Sequence, residues 1–193
     1  MNKKVTVASL ALIMSVSIGF AKEHIKEGEF YVVTKALWTT SETIREANGV
    51  EIEGRRGGGI GVDIGYTLPH HFAVEFDTSY SRNNLREKRI VIEGVEEKLE
   101  IENAKGDYWT YAFNVTYTLP VTHTIAIMSK VGYEFEHETI DKLNIDSHDS
   151  GVVYGAGIEY HISDHYEALL EYEGSTIDSP RGSSVYTGIK YIF

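Results

Sequence analysis

The sequence predicts an all-β protein, an eight-stranded antiparallel up-and-down β-barrel that crosses a membrane. Three observations predict this fold. Eight segments alternate between uncharged and polar side chains, the chain closes on a strand that ends in Phe193, and an apolar segment follows Lys3 and Lys4 at the N-terminus. A soluble domain rarely ends on a half-apolar strand, because a free strand edge promotes aggregation. A closed membrane barrel has no such edge.

The N-terminal segment has the pattern of a secretory signal peptide. The apolar run from Val5 to Phe20 follows two lysines and leads into Ala21. This run is short for a transmembrane helix, which needs about 20 apolar residues. We therefore expect cleavage after Ala21, with residues 1–21 as the signal peptide and 22–193 as one barrel domain.

Each of the eight predicted strands has one face without charge. Successive side chains of a strand point to opposite faces, and a charge at the bilayer midplane costs roughly 2–4 kcal/mol. The uncharged faces are therefore expected to contact lipid. The strands are 30–38, 60–68, 72–81, 108–119, 125–135, 152–161, 166–173 and 184–193. In that order, their faces run from Phe30 to Trp38, Ile60 to Leu68, Phe72 to Tyr80, Trp109 to Leu119, Ile125 to Phe135, Val152 to Tyr160, Tyr166 to Tyr172 and Val185 to Phe193.

The connections alternate in length. Tight turns are expected at 69–71, 120–123 and 163–165, and long polar loops at 39–59, 82–107, 136–151 and 174–183. Short periplasmic turns and longer outside loops are typical of outer-membrane barrels. An even strand number then places both termini in the periplasm. Residues 90–102 also alternate, but charges fall on both faces, so we expect a hairpin that extends the third and fourth strands above the membrane.

The opposite strand faces carry small residues and charges. An eight-stranded barrel has room only for side chains inside, and charges buried there must pair. We therefore expect a packed, ion-paired lumen rather than an open pore. Acids outnumber bases seven to three, so some carboxylates should be protonated or meet loop arginines, and any conductance should be small and cation-preferring. The predicted lumen residues are Lys35, Asp63, Glu75, Asp77, Lys130, Glu134, Glu159, Glu167, Glu171 and Lys190.

These segments together resemble the small eight-stranded outer-membrane barrel family that includes the OmpA transmembrane domain and the opacity proteins. Residues 30–38 resemble its first strand, and 157–160 and 171–173 its sixth and seventh. Ile189, Tyr191 and Phe193 resemble the family's C-terminal signal for the barrel-assembly machinery. The resemblance implies an outer-membrane location, contact with lipid and lipopolysaccharide, and a role in envelope integrity, adhesion or small-solute passage.

Composition and weaker motifs narrow the possible chemistry. The chain has no Cys, which removes disulfide scaffolds and thiol chemistry. Its net charge of −11 argues against nucleic acid as a partner. The glycines at 59 and 61 precede an alternating strand rather than a helix, so they do not form a nucleotide-binding loop.

The segment His161-Ile162-Ser163 resembles the His-x-Ser of outer-membrane lipid A deacylases. However, it falls at a predicted periplasmic turn, whereas lipid A lies in the outer leaflet. We expect a polar turn there. Histidines concentrate at the same rim, which raises the hypothesis of a metal site or pH sensor, but sequence spacing supplies no fixed ligand geometry. Anchoring at the interface is the preferred interpretation for His70, His71, His123, His161 and His165.

The loop 82–107 begins with several basic residues that are able to meet lipopolysaccharide phosphates. A solvated hairpin with weak cross-strand ion pairs is the simpler expectation. We therefore predict a non-enzymatic barrel without catalytic residues, cofactor or metal, in a structural, envelope-integrity or surface-interaction role, with an unknown extracellular ligand for its loops. A conduit for small solutes or hydrophobic ligands is the alternative, and a lipid A acyl hydrolase using His161 and Ser163 is the third possibility.

Overall fold

The computed structural model describes residues 27–45, 50–93 and 96–193. The predicted signal peptide and its cleavage site at Ala21 lie outside the described residues. Within the described ranges, no helix is long and apolar enough to cross a bilayer.

The described residues form nine strands in one antiparallel sheet that closes on itself. The ring closes because β1 pairs with both β3 and β9, while the short β2 pairs only with β3. Eight strands therefore make the wall, and the predicted antiparallel barrel is confirmed. The strands are β1 (Phe30–Thr39), β2 (Thr43–Arg45), β3 (Glu51–Thr67), β4 (Phe72–Glu93), β5 (Glu96–Pro120), β6 (Ile125–Ile140), β7 (Ile145–Ser163), β8 (Tyr166–Ser175) and β9 (Ser184–Ile192).

Strands β3 to β7 extend well beyond their predicted ends on one side of the barrel. Much of 39–59, 82–107 and 136–151 was expected as loop and is strand instead. A bulge in the β3–β4 pairing between Gly54 and Gly57 accompanies this extension. Outside the hydrocarbon layer both faces of a strand can carry charge, so the uncharged face that marks a membrane strand is missing there.

The two rims of the barrel differ. We call the rim with the short connections after β3, β5 and β7 the turn end, and the opposite rim the hairpin end. His70 and His71 adopt left-handed φ values of 64° and 67° in the turn after β3. The chain also closes at the turn end, where the Phe193 N–H donates to the Phe30 carbonyl oxygen at 3.0 Å.

The barrel is apolar outside and polar inside. Large apolar side chains cover the outer wall, including Ile60 and Phe113, which are 68% and 64% exposed. Small apolar clusters lie inside near each end, around Val33 and Met128 at the turn end and around Leu85 and Ile140 at the hairpin end. A soluble barrel has the reverse arrangement, because apolar surface must leave water. The outer wall of this barrel therefore suits lipid.

Candidate functional site

The candidate site is the lumen, which is filled by charged and aromatic side chains from the inner face of the strands. Nine of the ten residues predicted to lie there are buried, and Glu75 is half-buried. With further residues that were not predicted, they form three ion-pair clusters stacked along the barrel axis. Each cluster has its own cation, or pair of cations, surrounded by carboxylates.

The cluster at the turn end centres on Lys190 of β9. Its Nζ lies 2.7 Å from Glu159 Oε1 and 2.9 Å from Glu167 Oε2. The same ammonium lies 4.8 Å from the centre of the Tyr31 ring, in reach of a cation–π interaction. The Tyr31 hydroxyl in turn donates to Glu75 Oε1 at 2.7 Å. A neutral phenol donor thus satisfies a carboxylate that has no cation of its own in this cluster.

The central cluster contains two lysines that share one carboxylate. Lys35 Nζ lies 2.7 Å from Asp63 Oδ1 and 2.6 Å from Asp77 Oδ2. Lys130 Nζ lies 3.7 Å from the same oxygen of Asp77 and 2.5 Å from Glu171 Oε1. Buried ammonium groups are costly to desolvate, so each must be held by several acceptors. Strands β1, β3, β4, β6 and β8 are cross-linked in this way through the interior.

Two residues that were not predicted complete the central cluster. Glu173 Oε2 lies 2.6 Å from Lys130 Nζ, and the Tyr186 hydroxyl donates to Glu173 Oε1 at 3.1 Å. The Tyr186 ring also faces Lys35, whose Nζ is 4.4 Å from the ring centre. The alternation of β8 and β9 places both side chains inside.

The cluster at the hairpin end depends on a loop residue. Arg181 lies between β8 and β9, yet its side chain is buried and enters the lumen. Its Nη2 lies 2.9 Å from Glu134 Oε1 and its Nε lies 2.8 Å from Glu136 Oε2. The expectation that excess inner carboxylates meet loop arginines did not name this residue. The only sequence signal was the excess of acids over bases inside.

The Arg181 loop is held at the mouth by polar contacts to the wall. Gly182 has a φ of 68°, a conformation that suits glycine, and its N–H donates to the Ser179 carbonyl oxygen at 3.1 Å. Asn83 Nδ2 donates to the Arg181 carbonyl oxygen at 3.4 Å. This tight turn therefore directs the guanidinium of Arg181 into the barrel.

His161, the predicted base of the acyl hydrolase alternative, faces a carboxylate rather than Ser163, the nucleophile of that alternative. His161 Nδ1 points at Glu167 Oε1, 3.6 Å away, on the inner face. Ser163 is exposed at the end of β7, and the pairing of β7 with β8 shifts register between the two residues. Among the described residues, three potential metal ligands lie close together in the β6–β7 hairpin instead, namely His137, Asp146 and His148.

The outer face of the hairpin end carries charged pairs above an aromatic band. Arg82 donates from Nε and Nη2 to the two carboxylate oxygens of Asp107, at 2.6 and 3.0 Å, and Tyr80 also donates to Asp107. The bonds from Arg82 lower the pKa of Asp107. The hydrogen bond from Lys88 similarly lowers the pKa of Glu51 on the neighbouring strand. Arg82 and Lys88 are thus each matched by a carboxylate of a neighbouring strand, as expected for a solvated hairpin.

Comparison with known proteins agrees with this architecture. The model of the outer membrane protein beta-barrel domain family matches residues 8–193. A sequence search of curated proteins finds no significant match.

Several solved structures share the fold at low sequence identity. The outer membrane protein OprG from Pseudomonas aeruginosa has a TM-score of 0.67 and 10% identity, over 87% of this chain and 97% of its own. Ail, the attachment invasion locus protein of Yersinia pestis, has a TM-score of 0.54 and 15% identity, over 87% and 100%. Neisserial surface protein A has a TM-score of 0.52 and 15% identity, over 86% and 100%.

Proposed function

Because the chain belongs to the outer membrane protein beta-barrel domain family, we propose that it is a non-enzymatic outer-membrane barrel with a closed lumen and an exposed, interacting hairpin end. Its lumen serves as a structural core rather than as a path for solutes. Its contribution to the cell is envelope integrity together with contacts made by the hairpin end.

The contact of Arg181 with Glu134 and Glu136 is the observation that carries this proposal. The guanidinium enters from a loop and pairs with carboxylates of the wall at 2.9 and 2.8 Å. Below it, Lys130 and Lys190 each contact carboxylates across the barrel. A solute crossing the lumen has to separate these buried pairs, and removing one partner of such a pair costs about 3–5 kcal/mol. These buried pairs support the proposal of a closed lumen.

The arrangement of the two rims supports an orientation. Both Gly28 and Phe193, near the described ends of the chain, lie at the turn end. In bacterial outer-membrane barrels the short turns are periplasmic and the longer connections are outside. The turn end is therefore periplasmic, and the long hairpin formed by β4 and β5 faces the exterior.

The hairpin end supplies the interacting surface. Strands β4 and β5 run 22 and 25 residues, far more than the roughly 9–11 that cross a bilayer. Ail is described as an attachment invasion locus protein, and it shares the fold. The exposed Lys105 of this chain lies where lipopolysaccharide phosphates are expected, and the projecting strand ends reach beyond it.

Conductance in a planar bilayer tests the closed lumen. The refolded mature protein should show a heat-modifiable band on cold and boiled gels and negligible channel activity. Arg181→Ala should keep the band and raise the conductance above that of the unmodified protein, because the outermost of the three buried clusters is lost. Arg45→Ala, which removes an exposed arginine of the same rim, is the matched control and should show negligible channel activity.

Steady channels in the unmodified protein would contradict the closed lumen and favour the conduit alternative. If Arg181→Ala shows no more conductance than the unmodified protein, Arg181 does not close the lumen. Ser163→Ala addresses the acyl hydrolase alternative. Cells carrying Ser163→Ala should show the same lipid A acylation as cells carrying the unmodified protein, since His161 faces Glu167 rather than a nucleophile.

A further inference from the structure

The β6–β7 hairpin places two histidines and an aspartate side by side on the outer face of the barrel. His137 and His148 are cross-strand partners, and their rings stack with centroids 4.1 Å apart and planes inclined by 18°. Asp146 precedes His148 by two residues, so it lies on the same face of β7. The His137 Nε2 is 2.8 Å from Asp146 Oδ1, and the His148 Nδ1 is 4.0 Å from the same oxygen.

From this geometry we infer that His137, Asp146 and His148 bind a divalent transition-metal ion of the zinc type. One donor atom from each residue lies within 4.8 Å of the other two. Zinc takes imidazole nitrogens at about 2.0–2.1 Å and carboxylate oxygens at about 2.0–2.2 Å, which separates neighbouring tetrahedral ligands by about 3.3 Å. The 2.8 and 4.0 Å separations bracket that value. Because an imidazole lone pair lies in the plane of its ring, the two rings must turn out of their near-parallel stack for the three donors to meet on one ion.

The hairpin holds the three ligands in a fixed register. Ile140 pairs with Ile145 across a four-residue connection, in which Asn144 is left-handed at a φ of 52° and its N–H donates to the Asp141 carbonyl oxygen. Ile140 is fully buried against Leu85 and Ala104 of the β4–β5 hairpin. A one-residue slip would turn His137 to the opposite face, so this anchoring preserves the site.

Charge and exposure also favour a cation with open coordination positions. Residues 136–149 carry five carboxylates and one lysine. The side chains of His148 and Asp146 are 74% and 69% exposed, so water is able to complete the coordination shell. Two imidazoles with one carboxylate suit zinc, nickel or copper, whereas calcium and magnesium prefer oxygen ligands alone.

Calorimetric titration with Zn²⁺ tests the site. The mature protein is refolded in detergent without a histidine tag and freed of metal with a chelator. We expect one ion to bind per chain at pH 7.5. His148→Gln and Asp146→Asn should each lower the affinity at least about tenfold, as even the loss of a supporting residue does at metal sites.

His123→Gln is the matched control, because His123 is an exposed histidine at the opposite rim. It should leave the affinity unchanged. Titration with Co²⁺ gives a second measurement, since the visible absorption of the bound ion should vanish in His148→Gln and persist in His123→Gln. Every variant must keep its heat-modifiable band. The absence of binding, or binding that survives both His148→Gln and Asp146→Asn, would overturn the inference.

Discussion

Lys130 and Glu171 form an ion pair inside the barrel, with 2.5 Å between Nζ and Oε1. The pair joins β6 to β8 across β7, which lies between them. Gly155 of β7 leaves room for this contact, because a Cβ there would lie 3.0 Å from Glu171 Oε1. Neither charged group reaches solvent, so the pair belongs to the core of the protein rather than to its surface.

Replacing Lys130 by methionine should strongly destabilise the barrel. The change leaves Glu171 and Glu173 without their shared cation, and breaking a buried ion pair by removing one partner costs about 3–5 kcal/mol. The urea midpoint of the refolded protein, followed by gel mobility, should therefore fall. Lys142→Met is the matched control, because Lys142 is exposed in the β6–β7 connection. Equal urea midpoints for the two variants would contradict the claim that the central cluster stabilises the barrel.

A single added methyl group at Gly65 should disturb the turn-end cluster. A Cβ at Gly65 would lie 2.1 Å from the Tyr31 ring, so Tyr31 must move away from its hydrogen bond to Glu75. Overpacking of this kind typically costs about 1–3 kcal/mol. Gly58→Ala on the same strand is the control, since its Cβ would meet only the Leu37 carbonyl oxygen at 3.4 Å. A thermal unfolding series should lower the midpoint for Gly65→Ala alone, and a reversed order would refute the steric argument.

The alternation of uncharged and polar side chains predicted the membrane-spanning part of the fold, because the lipid-facing side of each strand carries no charge. Lys130 lies between Ser129 and Val131, and this alone indicated that it points inward. The same rule gives no signal beyond the hydrocarbon layer. Residues 51–56 carry charges on both faces, so the sequence predicts a loop where the structure has the first part of β3.

Contacts that depend on loops and register could not be predicted. Arg181 stands in a connection without periodicity, and only the assembled barrel brings it to Glu134. The meeting of His137 with His148 depends on a four-residue connection that was expected to be part of a 16-residue loop. The abundance of histidines at the turn end raised the hypothesis of a metal site there, but among the described residues the close group of three potential ligands lies in the β6–β7 hairpin.

Acid titration of Asp107 should reveal its contact with Arg82. A carboxyl whose pKa is lower in the folded state stabilises the fold above its unfolded value, about 3.9 for Asp, and loses this contribution as the pH falls through the folded value. The carboxyl carbon resonance of Asp107 should therefore titrate below pH 3.9. In Arg82→Gln the midpoint should move up toward that value, because the two donated hydrogen bonds are lost.

The same substitution should leave the urea midpoint at pH 7 nearly unchanged. The Arg82 side chain is 56% exposed, and exposed ion pairs contribute little net stability. A large loss of stability in Arg82→Gln would mean that the outer pairs of the hairpin end support the fold as the lumen pairs do. If Asp107 titrates at the same pH in Arg82→Gln as in the unmodified protein, Arg82 is not the cause of its lowered pKa.

The terminal aromatic residue should matter for assembly in cells more than for stability. The closure bond at Phe193 comes from its backbone N–H, which Phe193→Ala retains, and its ring contacts only Tyr191 among the described aromatic rings, at 5.0 Å. We therefore expect the variant refolded in vitro to keep its urea midpoint, while its amount in outer-membrane fractions falls. Phe30→Ala is the control, because Phe30 is a similarly exposed aromatic residue on the adjacent strand at the same rim. If both variants lose the same amount from the membrane, the role of Phe193 is general anchoring at the interface. If only Phe193→Ala is depleted, the residue acts as an assembly signal.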